Sequence, residues 1–289
     1  VRLASVSRSN HNCPIRSPMI LKAYSTALYA SWYYYAPDRL LFDCGECAAS
    51  ILRQDIFAVE SIFISHGHVD HIAGLLPFLC LRQSTKGDND KPLNVYYPEG
   101  DRSLNTYRRA LDAMIGHFVK YPLTWTGLNP GDTVPLRKGR HLHVLRADHN
   151  VDNPLSFVIA EERKRLRPEL RGTPGPELAR LSNEEKHEVT RANLFAYSGD
   201  SMPLAPDCYR GAEVLLHECT FLDEADRKYP VHSAIQEVLD LARDAEVQRV
   251  ILTHISPRYF RRQIPGLLEK ADHHGIPCDY VVPGRLNRF

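Results

Sequence analysis

Three histidines and an aspartate lie within one six-residue stretch, His66-Gly67-His68-Val69-Asp70-His71. The stretch directly follows the apolar run 61–65, so a buried strand is expected to end where these side chains begin. Neutral imidazole and carboxylate are ligands that suit Zn²⁺. Chance clustering is the alternative in a chain with 14 histidines, but this spacing behind an apolar run is typical of a metal-ligand loop. The stretch therefore predicts a metal site.

A single loop cannot complete a site for two metals, so further ligands are expected at the ends of other strands. Three residues occupy such places: His149 after the run 141–147, Asp200 at the end of 195–200, and His254 at the end of 250–254. Sites on layered α/β sheets gather where strands stop. Each residue alone would more often be an ordinary turn aspartate or a hydrogen-bonded histidine. Together with the first stretch, the three are predicted to be ligands.

The elements that must position these side chains follow from hydrophobic periodicity. Strands are predicted near 20–24, 32–35, 40–42, 61–64, 93–96, 142–145, 156–160, 194–197, 214–216, 249–253 and 280–282. Helices are predicted at 48–55, 72–83, 103–117, 233–244 and 261–273. Many short strands followed by strand–helix alternation indicate an α/β fold in which two sheets pack face to face with helices outside.

Composition limits the class of protein. The chain has 289 residues, of which 43% are hydrophobic and 25% charged, which predicts one large soluble domain over 1–289. A net charge of +1 gives no bulk signal for nucleic acid, so any such site must be local. No apolar stretch reaches the roughly 18 residues of a membrane span, and 1–10 has no apolar core of a signal peptide. A cytoplasmic location is the default expectation.

Seven scattered cysteines favour reduced thiols over a disulfide framework. Cys44 and Cys47 have the C-x-x-C spacing of a redox pair or half a zinc ribbon, but the chain has no second such pair, which favours an incidental spacing. The stretch 161–191 departs from the periodic pattern, since it is rich in charge, proline and glycine. It is predicted to be a protruding insertion or mobile loop.

The combined motifs resemble the metallo-β-lactamase superfamily, and the residues around them resemble tRNase Z. They are Leu41-Phe42-Asp43-Cys44-Gly45-Glu46, the stretch 65–71 with Leu75-Leu76 behind it, Ala196-Tyr197-Ser198-Gly199-Asp200, His217-Glu218-Cys219-Thr220-Phe221, His232-Ser233 and Leu252-Thr253-His254-Ile255-Ser256-Pro257-Arg258-Tyr259. Many hydrolases share the histidine loop, whereas the first, fourth and last two motifs are more particular to tRNase Z. The resemblance implies the four-layer αββα sandwich of the superfamily.

The resemblance also assigns roles to residues. One zinc would be held by His66, His68 and His149, and the other by Asp70, His71 and His254, with Asp200 bridging. The two Zn²⁺, which Mn²⁺ or Fe²⁺ could replace, would activate a water for in-line attack on phosphorus. Asp70, His232 and Glu218 would be catalytic. His232 would protonate the leaving 3′ oxygen, and Glu218 would orient the His232 ring. Otherwise, His232 could be only a capping-region side chain and Glu218 a strand-end acid.

The implied function is a dinuclear zinc phosphodiesterase of the tRNase Z kind, an endoribonuclease cleaving the 3′ trailer of precursor tRNA, with a possible homodimer. The alternative is a hydrolase of a small phosphodiester or other metabolite. A non-catalytic scaffold is disfavoured because all seven ligand positions hold competent residues. The 161–191 insertion carries eight Lys/Arg and seven Asp/Glu, so weak, salt-sensitive RNA binding is expected. Residues 3–8 and 12–17 differ from the family's glycine-rich opening and Pro/Arg/Asn loop.

Overall fold

The computed structural model describes residues 20–84 and 90–289, so the sequence expectations for 1–10, 3–8 and 12–17 lie outside the described part. Within it the strands are β1 (Leu21–Thr26), β2 (Ala30–Tyr35), β3 (Leu40–Phe42), β4 (Ser61–Phe63), β5 (Leu93–Pro98), β6 (Leu123–Leu128), β7 (Thr133–Pro135), β8 (Arg140–Arg146), β9 (Leu155–Leu166), β10 (His187–Tyr197), β11 (Val214–Glu218), β12 (Val250–Thr253), β13 (Cys278–Tyr280) and β14 (Asn287–Arg288). They form two seven-stranded sheets, ordered β14-β1-β2-β3-β4-β5-β6 and β13-β12-β11-β10-β9-β8-β7.

The two sheets are mixed and pack face to face. In the first, β3 to β6 run parallel, and in the second, β10 to β13 do. Aromatic rings join the sheets: the ring of Phe42 on β3 lies 5.7 Å from that of Phe157 on β9 and 5.6 Å from that of Phe195 on β10. These rings belong to a buried cluster fed by both sheets. The carboxyl ends of the parallel strands therefore meet along one edge of this sandwich.

Helices cover the outer face of each sheet. The α-helices are α1 (Ala48–Leu52), α2 (Val69–Ile72), α3 (Leu75–Ser84), α4 (Arg102–Ile115), α5 (Gly175–Leu178), α6 (Asn183–Lys186), α7 (Ile235–Asp244) and α8 (Ile264–Leu268). Residues of α1, α3 and α4 share a core with Leu41 and Ile62 of the first sheet. Residues of α7 and α8 share another with Leu215 and Leu252 of the second. The predicted four-layer αββα sandwich is confirmed.

Two predicted helices are shorter than expected. The one at 72–83 is divided at Ala73 and Gly74, where a side chain on Gly74 would lie 2.0 Å from the carbonyl oxygen of Gly45. The one at 261–273 is helical only over Ile264–Leu268, with Pro265 in its first turn, where the missing N–H of proline costs nothing. Periodicity alone overestimated both lengths because it does not register these local constraints.

The 161–191 insertion is not a simple loop. Its flanks continue β9 and β10 as an antiparallel ribbon that pairs Glu161 with Ala192 and Leu166 with His187, and its tip carries α5 and α6. Glu162 stands opposite Arg191 in this register, and Arg165 stands opposite Glu188. Opposite charges at facing positions stabilise a ribbon, and they explain why strands form here without apolar alternation.

The six cysteines in the described residues form no disulfide with one another, and Cys44 is buried whereas Cys47 is exposed. Burial raises the pKa of the Cys44 thiol, so this thiol is poorly suited to thiolate chemistry. Among the helices of the described residues, none has the length and apolar character needed to cross a membrane.

Candidate metal centre

The seven predicted ligands converge at the sheet edge in two groups. Ligand atoms of the first group all lie within 4.8 Å of one another, as do those of the second: these are His66, His68, His149 and Asp200, and Asp70, His71 and His254. They follow β4, β8, β10 and β12, so both sheets contribute. Residues far apart in sequence thus form one cluster of imidazoles and carboxylates, the candidate metal centre.

Asp200, a member of the first group, also lies close to the second. Its Oδ2 is 3.7 Å from Nε2 of His66, and 3.4 Å from Nε2 of both His71 and His254. Nε2 of His254 is in turn 3.3 Å from Oδ2 of Asp70. Ligand atoms about 2.1 Å from a tetrahedral Zn²⁺ are separated by roughly 3.4 Å. The observed spacings therefore suit two cations that share the Asp200 carboxylate.

Hydrogen bonds leave the imidazoles ready to accept a cation. The Nε2 atoms of His66, His71 and His149 are buried and have no hydrogen-bond partner among the described residues. The Nδ1 atom of each ring is engaged instead: with Ser65 Oγ at 3.0 Å, Asp43 Oδ2 at 2.7 Å and the Val231 carbonyl at 3.0 Å, respectively. A ring that donates from Nδ1 presents the Nε2 lone pair. Since an unpaired buried nitrogen is costly, a divalent cation fits these donors.

Asp43 supports the centre, a role that was not predicted from the sequence. This fully buried carboxylate accepts hydrogen bonds from the Ser65 amide at 2.7 Å, the Ser65 hydroxyl at 2.8 Å, His71 Nδ1 at 2.7 Å and the Tyr197 hydroxyl at 2.5 Å. It adopts φ 54° directly after β3. His254 adopts φ 56° directly after β12. Left-handed conformations at non-glycine residues concentrate at functional sites. The sequence feature that could have indicated the role of Asp43 is its position as an acid at the end of a strand, inside a motif shared with the family.

Gly67 allows the ligand loop to be hydrogen-bonded to the N-terminus of α4. Its amide donates to Oδ2 of Asp101 at 2.9 Å, while Oδ1 of Asp101 caps α4 by accepting from the Leu104 amide at 2.8 Å. A Cβ on Gly67 would lie 2.4 Å from the Asp101 carboxylate. A side chain at position 67 would therefore displace the Asp101 carboxylate that holds the ligand loop.

Electrostatics favour the ligand forms of most of these groups. Burial lowers the pKa values of His66, His68 and His149, which keeps the imidazoles neutral, as metal binding requires. Burial would raise the pKa of Asp200, but His254 and His71 hold it well below its usual range. His71 is the exception: burial lowers its pKa, but Asp200 and Asp43 raise it well above the ordinary value. A cation must therefore displace a proton there.

His232 and Glu218 form a dyad beside the centre. Nδ1 of His232 lies 2.9 Å from Oε1 of Glu218, and the His232 ring is 4.9 Å from that of His149 and 5.5 Å from that of His254. Oε2 of Glu218 accepts from the Thr220 amide and hydroxyl, each at 2.9 Å. Burial lowers the pKa of His232, but the hydrogen bond and charge of Glu218 outweigh it and raise the pKa to about 9.

The dyad can act in two ways. His232 lies close enough to Asp200 and His254 to form a third possible ligand group with them. Its protonated ring can also supply a proton at neutral pH. The alternative capping role finds no support, because α7 begins at Ile235 and its N-cap residue is Ala234. Thr220 links the dyad to the centre, since its hydroxyl donates to Glu218 and lies 2.9 Å from Nδ1 of His254.

The chain is similar to known proteins in sequence and in fold. The family model described as a beta-lactamase superfamily domain matches residues 38–167. Ribonuclease Z of Methanosarcina mazei is 31% identical over 251 residues, which cover 77% of this chain and 79% of that protein. Ribonuclease Z of Halalkalibacterium halodurans is 34% identical over 252 residues, covering 76% of this chain and 78% of that protein.

The fold itself is shared with solved structures. Human tRNase Z, short form, superposes with a TM-score of 0.64 at 18% identity, covering 93% of this chain and 98% of that chain. Identity at this level supports the architecture only, whereas the sequence relatives extend over most of both chains. The chain therefore belongs to the ribonuclease Z family, whose members are metal-dependent hydrolases with the metallo-β-lactamase fold.

Proposed function

We propose that this protein is a dinuclear zinc endoribonuclease that removes the 3′ trailer from precursor tRNA. The observation that carries the proposal is the pair of ligand groups around Asp200, with the His232–Glu218 dyad beside them, in a chain of the ribonuclease Z family. One zinc is assigned to His66, His68 and His149, the other to Asp70, His71 and His254, with Asp200 shared.

The proposed reaction is hydrolysis of a phosphodiester. Two bound cations would lower the pKa of a water and offset charge on the phosphoryl oxygens. Asp70 and Asp200 provide the negative charge that holds cations at this place. His232 donates its proton to the 3′ oxygen as the bond between that oxygen and phosphorus breaks and the water oxygen bonds to phosphorus. Glu218 keeps Nδ1 occupied, so the proton leaves from Nε2. The products are a 3′-hydroxyl on the tRNA and a 5′-phosphate on the trailer.

The charge of the 161–191 insertion favours a second candidate, hydrolysis of a small phosphodiester at the same centre. Binding through RNA phosphates grows with the number of available cationic side chains. In the insertion, eight basic and seven acidic residues nearly cancel, and Glu162 and Glu188 stand opposite Arg191 and Arg165. The two candidates share their chemistry and differ in whether a large RNA is held.

The two candidates are separated by offering both substrates to the same zinc-loaded protein. We expect a single cut in a precursor tRNA with a labelled trailer, leaving a 3′-hydroxyl on the tRNA and a 5′-phosphate on the trailer. His232→Ala should retain its zinc and lower kcat on RNA by about 10²- to 10⁴-fold, the usual contribution of a general acid. His141→Ala, which removes a half-buried histidine on β8, serves as the control. Turnover of bis(p-nitrophenyl) phosphate with intact RNA would remove the tRNA assignment.

A further inference from the structure

Arg227 forms a largely buried ion pair near the dyad. It lies between β11 and α7, five residues before His232, and its side chain is only 9% exposed. Its guanidinium binds Glu237 with both arms: Nη1 donates to Oε2 at 2.7 Å, and Nη2 donates to Oε1 at 2.7 Å. Bidentate pairs of this kind fix orientation as well as distance. The side chains of Arg227 and Glu237 therefore hold each other in a fixed orientation next to the chain segment that carries His232.

The same guanidinium also contacts the backbone of His232. Nη1 donates to the His232 carbonyl oxygen at 3.0 Å and approaches Sδ of Met202 at 3.3 Å. Glu237, in the first turn of α7, accepts from the Ala234 amide at 2.9 Å. Met202 belongs to the loop after Asp200, and its amide donates to the Asp148 carbonyl oxygen at 2.9 Å. Arg227 thus joins the His232 segment, α7 and the loop after Asp200.

We propose that Arg227 is a positioning residue for His232, a role that rests on the proposed function because it requires His232 to be the proton donor. Glu218 holds the imidazole at Nδ1, whereas Arg227 holds the backbone from which the ring projects. With both ends fixed, Nε2 is kept at one place relative to the leaving oxygen. An error of about 1 Å in such a position can cost about 10²-fold in rate. Among the described residues, the Arg227 guanidinium donates its hydrogen bonds to protein groups, so Arg227 acts through His232.

The leaving group distinguishes this role from a purely structural one. The 3′ oxygen of RNA is a poor leaving group and needs the proton, whereas p-nitrophenolate leaves without one. Misplacement of His232 should therefore slow RNA cleavage and spare bis(p-nitrophenyl) phosphate. Damage to the candidate metal centre or to folding would slow both substrates together.

The test compares Arg227→Met, Arg227→Lys, Glu237→Gln and His232→Ala in zinc-loaded protein. The control is Arg243→Met, because Arg243 is a half-exposed arginine of α7 that pairs with Asp240 and Asp244. We expect Arg227→Met to lower kcat on precursor tRNA by about 10- to 100-fold, up to the loss that a misplacement of about 1 Å can cause. KM, zinc content and ester turnover should stay near the wild-type values. Arg227→Lys should give a kcat between those of the wild type and Arg227→Met, since lysine keeps the charge but cannot form the bidentate pair with Glu237.

The double variant Arg227→Met with His232→Ala should be no slower on RNA than His232→Ala alone, because both changes remove the same contribution. Additive losses, equal losses on both substrates, or wild-type RNA cleavage by Arg227→Met would each overturn the role of Arg227. If Arg227→Met does not fold, Arg227→Lys and Glu237→Gln decide by the same ratio of RNA to ester turnover. Failure of the proposed function looks different, because then the wild type leaves RNA intact or His232→Ala cleaves it normally.

Discussion

The candidate metal centre and the 161–191 insertion both carry many ionisable side chains, but they arrange them in opposite ways. In the centre, His71 and Asp200 are 0% and 3% exposed, and carboxylates and Nε2 lone pairs converge on shared points. In the insertion, Glu162 and Arg165 are exposed and stand opposite Arg191 and Glu188. Buried charged groups are costly unless they are paired or bind a metal, whereas the facing opposite charges of a solvated ribbon need no further partner. The structure therefore supports a metal site more strongly than it supports RNA binding by the insertion.

Asp200→Asn should have the largest effect, because it removes the charge that both ligand groups share. We expect zinc content to fall to one ion or fewer and kcat/KM to fall by at least about 10³-fold, since metal catalysis contributes several kcal/mol. Asp207→Asn, at an exposed carboxylate that pairs with Arg210, is the control. Full activity of Asp200→Asn would remove the shared-carboxylate assignment.

Asp43→Asn tests whether the buried carboxylate that supports the ligands contributes to zinc binding at the centre. An amide at this position cannot accept as strongly from Nδ1 of His71 or from Ser65. Zinc affinity, measured by competition with a chelator, should fall by about 10- to 100-fold, and excess zinc should restore much of the activity. Asp55→Asn, at a half-exposed partner of Lys22, provides the comparison. Unchanged affinity would mean that Asp43 serves only the packing of the loop.

The centre was predictable from the sequence to the extent that its signals are local. The stretch 66–71 and the strand-end positions of His149, Asp200 and His254 are visible as spacing behind apolar runs. Asp43 and Thr220 act through hydrogen-bond partners, His71 and His254, that lie 28 and 34 positions away in sequence. Hydrophobic periodicity carries no information about such distant partners. The supporting residues therefore needed coordinates.

The fold was predictable in the same uneven way. Strands buried on both faces, such as β2, were recognised because their apolar runs are continuous. β6 was missed: it is an edge strand whose residues are mostly exposed or half-buried, and Thr124 and Gly127 weaken its pattern. The ribbon of the insertion was missed because facing charges, rather than apolar alternation, favour its pairing.

Removing two acids from the insertion should have the smallest effect, and it should strengthen RNA binding where the other changes weaken function. Glu162→Gln with Glu188→Gln leaves Arg191 and Arg165 without acids opposite them. We expect KM for precursor tRNA to fall by about two- to tenfold and the log–log salt dependence of binding to steepen by about 1 to 2. Turnover of the small ester and kcat on RNA should not change.

The matched control is Glu246→Gln with Glu269→Gln, which removes two acids outside the insertion. Anisotropy of a labelled precursor tRNA over a salt series measures the slope for both pairs of changes. An equal response of the two pairs would show that net charge alone matters. No response from either would place RNA contacts elsewhere on the protein.

The central claim is that distant strand ends hold two cations around one shared carboxylate. Native mass spectrometry of zinc-loaded, dialysed protein measures this most directly. We expect about two zinc ions per chain in the wild type, and loss of both when His149, Asp200 and His254 are replaced together by Asn, Asn and Gln. A wild type without zinc, or a triple variant that retains two ions, would contradict it.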